Sequence, residues 1–351
     1  MSSMSVEGAA EGSRTAAATI YDIARAAGVN PSTVSRALNK PGRVSVKTEQ
    51  RIHAAAKALN YRLNPMARAL PTGRTRTLGL LLADITNPMF FEVVRGAERA
   101  AAERGYTLIL AESQESGERE AEAAERIAPS VDGLILVATR LADEQIRSLA
   151  ERKRLVVINR LVDGVEEIVP DLEPGIDQAL ALLWEFGHRS VAFLAGPGGA
   201  WMSGARWQML AEKARSRGMT VVEIGPGRPT LDGGRAALSR VIASGVTAVL
   251  AYNDLMAIGL MRAAKESGMD VPGRLSIVGF DDIFGSDFTS PPLTTIRTPL
   301  DEIGERATRR ALDLIDDRAP GERLTVASPD SGPVATELIV RGSTGRVASP
   351  A

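Results

Sequence analysis

The sequence contains no cysteine and only 4% aromatic residues, and it has no long apolar run. Without cysteine there can be no disulfide framework, no thiolate metal site and no cysteine nucleophile. This composition suits a reducing cytoplasm, which is where we expect the protein to reside. No apolar run approaches the roughly 20 residues that span a bilayer. Residues 1–18 lack the basic start and apolar core of a signal peptide, so we expect neither export nor membrane association.

Groups that perform catalysis or bind cofactors are also scarce. The two histidines, His53 and His188, have no nucleophile or metal-ligand partner in sequence. The loop Gly196–Gly199 lacks the Lys and Ser/Thr of a phosphate-binding loop, and no G-x-G-x-x-G follows a predicted strand. We therefore expect no enzyme, no cofactor and no metal site.

The net charge of −1 conceals an uneven distribution. From Arg14 to Arg76 there are 12 Lys and Arg against two acidic residues, a net of +10, so the rest of the chain carries −11. This asymmetry predicts a basic nucleic-acid-binding module joined to an acidic body. On charge alone, a solvated basic surface without a partner is an equal alternative.

Three short helices are predicted within the basic segment. Thr19 lies where an N-cap belongs, with Asp22 as its capping partner, and Gly28 ends this first helix. Asn30 caps a second helix that begins at Pro31, where the missing N–H costs nothing. A third helix follows residue 45. Three helices with a tight turn between the first two form a helix-turn-helix module, which we place at 19–63.

Beyond residue 76, apolar runs alternate with amphipathic helical stretches. The runs are Leu78–Ala83, Tyr106–Leu110, Gly133–Val137, Leu155–Ile158, Val191–Ala195, Val246–Ala251 and Leu275–Phe280. The helical stretches are Phe90–Arg104, Glu118–Ile127, Asp177–Phe186, Ala205–Arg217, Gly234–Ala243, Leu255–Ser267 and Leu300–Asp316. Continuous apolar runs are typical of strands buried on both faces, so the pattern predicts an α/β body with parallel sheets. The number of βα units favours two subdomains.

The segment Thr19–Asn39 (TIYDIARAAGVNPSTVSRALN) closely resembles the DNA-binding signature of the LacI/GalR repressor family. The resemblance continues to Leu70, and resumes in the body at Asp84–Pro88, Asn253–Gly259 and Val278–Asp282. It implies a one-component repressor with an all-α headpiece, a hinge helix and a two-subdomain periplasmic-binding-protein-like core.

The resemblance, together with the composition of the two ends of the chain, implies a domain plan. Residues 1–18 are expected to be a disordered tail, 19–63 the DNA-binding domain, 64–76 the hinge helix and linker, and 77–341 the effector-binding core. Within the core, subdomain one is expected at about 77–170 plus 297–327, and subdomain two at about 171–296 plus 328–341. Residues 342–351 are expected to form a second structureless tail.

The first turn of the second helix is predicted to enter the DNA major groove. The resemblance places base readout at Pro31, Ser32 and Arg36. The Arg36 side chain could bind a guanine through two hydrogen bonds. Small polar side chains nearby suit phosphate oxygens, and these are Thr19, Tyr21, Thr33, Ser35 and Asn39. The resemblance makes Leu70 a minor-groove wedge. Pro71, where the family has another residue, would end the hinge helix at once.

Effector contacts are predicted at the carboxyl ends of the body's strands, where open α/β sheets bind small molecules. The resemblance places them at Asn87, Phe90, Asn159, Arg160, Arg206, Asn253, Phe280 and Asp281, and Trp201 is predicted as an extra wall. Polar side chains of these types pair with vicinal hydroxyls, and a ring covers a sugar's apolar face, so the predicted effector is a sugar. Thr298 stands where the resemblance leads us to expect Gln. Arg160 and Arg206 would also accommodate an anionic effector.

Double-stranded DNA with a pseudo-palindromic operator, a small-molecule effector and a second copy of the chain are the expected partners. The expected mechanism is linkage, in which the effector changes the spacing of the subdomains in the dimer and so orders or melts the hinge helices. Two alternative functions fit the sequence less well. A transport sugar receptor would leave residues 19–70 without a role, and a Rossmann-like enzyme would need a catalytic constellation.

Overall fold

A computed structural model of the protein describes residues 18–39, 42–61, 74–316 and 332–347. The chain divides between Thr75 and Arg76 into an N-terminal unit and a C-terminal unit. The predictions for residues 1–17 and 62–73, which include most of the hinge helix with Leu70, lie outside the described residues.

The N-terminal unit begins with three helices: α1 (Ile20–Ala27), α2 (Pro31–Asn39) and α3 (Val46–Ala58). At the start of α1 the Asp22 carboxylate accepts hydrogen bonds from the Thr19 backbone N–H, at 2.9 Å, and from the Thr19 hydroxyl, at 2.7 Å. Gly28 ends α1 with φ of 61°, a left-handed conformation that glycine adopts without strain. The predicted helix-turn-helix is therefore confirmed.

A small core holds these helices together. Its buried members come from all three helices: Ile23, Ala24, Ala27, Val34, Ala37 and Ile52. Arg51 on α3 donates to the carbonyl of Ala27 at 2.6 Å, which satisfies an end carbonyl of α1. The faces of α1 and α2 that do not contribute to this core include exposed residues such as Tyr21, Ser32 and Arg36.

The C-terminal unit contains thirteen strands in its described part. They are β1 (Thr77–Leu82), β2 (Thr107–Glu112), β3 (Gly133–Val137), β4 (Arg154–Ile158), β5 (Glu166–Ile168), β6 (Pro170–Asp171), β7 (Ser190–Leu194), β8 (Thr220–Ile224), β9 (Ala248–Ala251), β10 (Ser276–Asp281), β11 (Thr294–Arg297), β12 (Val334–Ala335) and β13 (Glu337–Ile339). All seven predicted apolar runs coincide with strands of this set. Six of these strands are buried on both faces of a sheet, whereas β2 is an edge strand and stays partly exposed.

Helices connect these strands. They are α4 (Met89–Glu103), α5 (Gly117–Ile127), α6 (Asp143–Arg152), α7 (Glu173–Glu185), α8 (Trp201–Ser216), α9 (Leu231–Ala236), α10 (Leu238–Ser244), α11 (Asp254–Glu266) and α12 (Leu300–Asp316). A short 3-10 turn at Ala128–Ser130 follows α5. Within the described ranges no helix is both long and apolar enough to cross a membrane.

Two sheets divide the C-terminal unit into halves. The first has the order β2-β1-β3-β4-β5 and is wholly parallel. The second has the order β13-β11-β10-β9-β7-β8, in which only β13 is antiparallel to its neighbour. The chain passes between the halves beside the small β6–β12 ladder and again from β11 to α12, which packs on the first sheet. The predicted α/β architecture is confirmed.

Both faces of the first sheet are covered, and residues alternate between them. Leu80 and Leu82 of β1 pack with α4 and α12, whereas Leu81 packs with α5 on the other face. The second sheet is enclosed in a larger core that includes Phe193 and Phe280. The carboxyl ends of β1–β4 lie at one edge of the first sheet, and those of β7, β9 and β10 lie at one edge of the second. Loops follow these ends, outside the apolar layers.

Two glycines let α4 and α12 approach closely. A Cβ at Gly96 would lie 1.8 Å from the Asp301 carbonyl oxygen, and one at Gly304 would lie 2.1 Å from that of Val93. We expect Gly96→Ala to lower the unfolding free energy by about 1–3 kcal/mol or more, because rigid backbone must move to make room. Urea denaturation of the purified protein measures this.

Gly204, in the first turn of α8, provides the control, since a Cβ there meets no atom within 4 Å. Gly204→Ala is expected to be neutral or to stabilise by up to about 1 kcal/mol, because alanine restricts the unfolded chain and favours helix. Equal effects of the two substitutions would contradict the close approach of α4 and α12.

The prediction of a structureless tail after Arg341 is wrong for residues 342–347. The carbonyl of Ser343 accepts the Ile277 N–H at 2.8 Å, and its hydroxyl donates to the Ile277 carbonyl at 2.6 Å. The ring of buried His188 lies 3.0 Å from the Gly345 carbonyl oxygen, and the Val347 N–H donates to Phe186. Small polar residues are buried here because their polar groups are paired, which composition alone does not reveal.

Candidate DNA-binding and effector sites

One exposed face of α2 presents the predicted reading residues. Ser32 and Arg36 are both exposed and lie four residues apart, which places them on the same side of the helix. Val34 and Ala37 point the other way, into the core. Pro31 is the first residue of α2 and is half-buried. The helix therefore presents a polar side chain and a guanidinium one turn apart to an outside partner.

The predicted phosphate contacts lie around this face. Thr19 and Tyr21 are exposed at the start of α1, where Tyr21 keeps 65% of its surface accessible, while Thr33 and Ser35 are half-buried on α2. Asn39 ends α2, but its side chain lies outside the described residues, as does Leu70. Exposed cations on neighbouring segments, including Arg43 and Lys47, add to the positive charge.

In the second half of the C-terminal unit, the predicted effector residues Arg206, Phe280 and Asp281 form one cluster. The Arg206 guanidinium donates to the Asp281 carboxylate at 2.8 Å and to the carbonyl of Tyr252. It stacks on the Phe280 ring, 3.6 Å from the ring centroid. Both charged side chains are at most 5% exposed. Burial raises the pKa of Asp281 above its usual value, and the charge of Arg206 opposes this.

Asn253 and Asp254 follow β9 beside this cluster and serve the fold. The Asn253 side chain accepts the Met256 N–H at 2.9 Å and donates to the Pro229 carbonyl at 3.1 Å, so it caps α11. Asp254 is fully buried and accepts hydrogen bonds from Ile283 N–H and the Thr295 hydroxyl. Burial raises the pKa of Asp254 well above its usual value. The structure thus gives Asn253 a capping role where an effector contact was predicted.

The predicted residues of the first half occupy the ends of β1 and β4. The Asn87 side chain accepts the Met89 N–H at the start of α4, and Phe90 is buried in the core beneath it. Asn159 is 5% exposed. Arg160 donates to the Leu141 carbonyl and to the Asp143 carboxylate, both at 2.6 Å.

Arg160 and Trp201 meet at a shared cavity of about 600 Å³. Its remaining walls are the glycine-rich loop 196–199 and parts of α8 and β8. Arg160 comes from the first half and Trp201 from the second, so the cavity opens between the halves. Trp201 lines this cavity, and its role as an extra wall of the effector site stays a prediction.

Unpaired buried polar atoms concentrate at the predicted effector residues. Four of the nine have a side-chain atom that is buried without a hydrogen-bond partner: Asn159 Oδ1, Arg160 Nε, Arg206 Nε and Asp281 Oδ2. Thr298, which stood out because Gln was expected there, adds its hydroxyl. Leaving such atoms unpaired costs free energy in the folded protein.

Backbone strain concentrates at the same strand ends. Among the described residues, eight that are not glycine have positive φ. Six of them follow or end strands of the two sheets: Gln114, Glu115, Ala138, Asn159, Asp281 and Asp282. Residues that carry a side chain rarely adopt a positive φ. Where they do, the surrounding structure enforces the conformation, often at functional sites.

Three further residues at strand ends of the C-terminal unit were not predicted from the sequence: Tyr252, Arg140 and Glu115. Each directly follows, or lies within three residues of, the end of a parallel strand. The carboxyl-end rule applied to every strand, and not only to those matching the resemblance, would have selected them.

Comparison with known proteins shows which protein families the chain matches. Residues 19–64 match the bacterial regulatory proteins of the lacI family, and residues 180–344 match the periplasmic binding protein-like domain. The HTH-type transcriptional repressor CytR of Escherichia coli (strain K12) is 34% identical over 93% of this chain and 96% of its own.

Solved structures agree with this match. The lac repressor dimer bound to operator and the anti-inducer ONPF superposes with a TM-score of 0.80 and 26% identity, over 94% of this chain and all of that one. A LacI family regulator from Enterococcus faecium with bound ribose gives 0.64 and 26%, over 78% of this chain and all of that one.

A helix-turn-helix unit followed by two parallel-sheet halves with polar groups at their strand ends defines a ligand-responsive DNA-binding regulator. The chain belongs to the lacI family of bacterial regulatory proteins. This membership confirms the expectation of a regulator and not an enzyme.

Proposed function

We propose that the protein is a transcriptional repressor that binds an operator as a homodimer and is controlled by an uncharged sugar. The DNA-binding part is supported by the exposed Ser32 and Arg36 of α2 and by the basic charge of the N-terminal unit. CytR is a repressor by name, and the lac repressor was solved as an operator-bound dimer. Operator DNA lies in the cytoplasm of a bacterium, which is therefore the proposed location.

The unpaired buried atoms carry the ligand assignment. Arg206 Nε and Arg160 Nε are donors, whereas Asp281 Oδ2 and Asn159 Oδ1 are acceptors. A ligand that satisfies both kinds within one site must itself donate and accept. Hydroxyl groups do both, and a sugar presents several of them on a compact ring.

Charge balance favours a neutral ligand over an anionic one. Arg206 is already paired with Asp281 at 2.8 Å, and Arg160 with Asp143 at 2.6 Å. An anionic effector would have to compete with these carboxylates or be placed close to them, which like-charge repulsion opposes. The sequence left an anionic effector open; the pairing supports the uncharged alternative.

Matched pairs of compounds test this proposal. D-ribose with D-ribose 5-phosphate, D-galactose with D-galacturonate, and D-glucose with D-glucose 6-phosphate, together with cellobiose, form a thermal-shift panel. A neutral member at ~100 times its dissociation constant should stabilise the protein by ~2.7 kcal/mol. Stabilisation by the anionic members alone, or by no member of the panel, would contradict the proposed effector class.

A further inference from the structure

Another arginine–carboxylate pair, beside the Arg160–Asp143 pair, lies at the strand ends of the first half. Arg140, three residues after β3, donates from Nε to Glu115 Oε2 at 2.8 Å and places Nη2 2.6 Å from the same oxygen. Its other terminal nitrogen donates to the Ala138 carbonyl at 2.7 Å. The Arg140 side chain is 8% exposed and that of Glu115 is 26% exposed. The pair joins the loop after β2 to the loop after β3.

The surrounding backbone holds this pair in place. Buried Glu120 on α5 accepts the Arg140 N–H at 2.7 Å. Gly117, at the start of α5, lies so close that a Cβ there would be 2.7 Å from the Arg140 carbonyl oxygen. Glu115 itself has φ of 61° and Ala138 has φ of 54°. A pair fixed by buried contacts and strained backbone is preorganised, as binding groups are when they must meet a ligand without rearranging.

The loop that carries Arg140 also contacts Arg160, a residue of the cavity between the halves. Arg160 donates to the carbonyl of Leu141, the residue directly after Arg140, at 2.6 Å. Arg160 lines the cavity from the first half, and its other lining residues belong to the second half. The Glu115–Arg140 pair is therefore joined to this cavity through the loop after β3.

One oxygen of Glu115 is not used by the fold. Both Arg140 contacts converge on Oε2, so Oε1 has no hydrogen bond within the part of the chain that the structure describes. We propose that Glu115, held by Arg140, is a specificity-determining residue of the effector site, whose Oε1 accepts a hydroxyl of the sugar. This inference rests on the proposed function. It adds a further contact from the first half to those proposed for Asn159 and Arg160.

The assignment has a chemical consequence for selectivity. A carboxylate oxygen accepts a hydroxyl strongly but repels a phosphate or carboxylate placed at the same position. A ligand lacking that hydroxyl leaves the oxygen unpaired, which a site built for hydrogen bonding rejects. Glu115 would thus contribute to the preference for neutral sugars over their phosphorylated or oxidised derivatives.

A structural alternative assigns the pair only to holding the two loops together. Glu115→Gln and Glu115→Asp separate the two roles in the full-length protein. Glutamine keeps the length but loses the charge, whereas aspartate keeps the charge and withdraws the oxygen by one methylene. The matched control is Glu125→Gln, which removes a carboxylate from the exposed Arg152–Glu125 pair on α5 and α6, where Arg152 Nη2 lies 2.6 Å from Glu125 Oε1.

Isothermal titration with the neutral sugar that most stabilises the wild type in the panel above gives the decisive comparison. Both Glu115 variants should bind it at least about tenfold more weakly, while Glu125→Gln stays within about twofold of the wild type. Unfolding midpoints, measured without sugar, check that the variants are folded. Glu115 variants that are folded and bind the sugar like the wild type would overturn the assignment, as would a loss of stability with unchanged affinity. If no neutral sugar binds the wild type, the proposed function fails first, and this inference fails with it.

Discussion

Asp281→Ala is expected to lower the unfolding free energy of the C-terminal unit by roughly 3–5 kcal/mol, because Arg206 would be left as an unpaired buried charge. The Arg206 guanidinium loses its 2.8 Å partner while remaining stacked on Phe280 in a site only 5% exposed. Arg206→Ala should cost a similar amount for the converse reason. Urea denaturation of the purified variants measures both effects.

The double variant and a surface pair serve as controls. Removing Arg206 and Asp281 together leaves neither of them as an unpaired buried charge, so the double variant should lose less stability than the sum of the single losses. Asp313→Ala removes one of the two acidic partners of Arg104 on the surface, the other being Asp316. The Arg104–Asp313 pair is about 40% exposed, so the loss should cost at most about 1 kcal/mol. Strict additivity in the cycle would contradict the coupling of the buried pair.

The milder Asp281→Asn tests the role of this pair in regulation. Asparagine keeps the shape of the side chain but removes the charge that orients Arg206 and one of the two carboxylate oxygens. The sugar's effect on operator binding should disappear, whereas operator affinity without sugar should stay close to that of the wild type. An undiminished effect of the sugar on operator binding would show that the effector binds elsewhere.

Arg36→Ala is expected to weaken operator binding by ~1–3 kcal/mol and to relax preference at one symmetric pair of base positions. The side chain is exposed on α2 beside Ser32 and is not needed by the core of the N-terminal unit. Binding-site selection from a random pool measures both the affinity and the preference.

Lys47→Ala is the comparison for Arg36, since Lys47 is also exposed and cationic but lies at the start of α3. If Lys47 contacts only phosphate, its loss should weaken binding to all sequences and flatten the salt dependence, without changing the selected sequence. An Arg36→Ala protein that selects the wild-type sequence would mean that α2 is not the reading helix.

Local sequence patterns were sufficient to predict the parts of the fold that depend on interactions between residues close in sequence. The Thr19–Asp22 capping box, the left-handed Gly28 and the apolar runs each act through neighbours in sequence or through burial on both faces. The predicted single helix Gly234–Ala243 was less accurate, because the chain forms α9 and α10 with a break at buried Ala237. Gly234 there approaches the Met256 carbonyl too closely for any side chain, a contact between distant residues.

The candidate effector site was predicted in part for the same reason. Asp281 and Arg206 could be selected because each has a recognisable position relative to a strand, but their 2.8 Å pairing joins residues 75 apart. The Glu115–Arg140 pair depends on two loops meeting above β1, which no local pattern expresses. The sequence could not show whether the Asn253 side chain caps a helix or faces a ligand, because this depends on residues that are distant in sequence, such as Pro229.

The most direct test of the central claim is the coupling of sugar binding to operator binding in one molecule. Fluorescence anisotropy would measure the dissociation constant of the full-length protein for its selected operator, with and without the stabilising sugar. We predict that the sugar changes this constant and that operator DNA changes the sugar's dissociation constant by the same factor, since linkage is reciprocal. A sugar that binds the protein but leaves the operator dissociation constant unchanged would contradict the account.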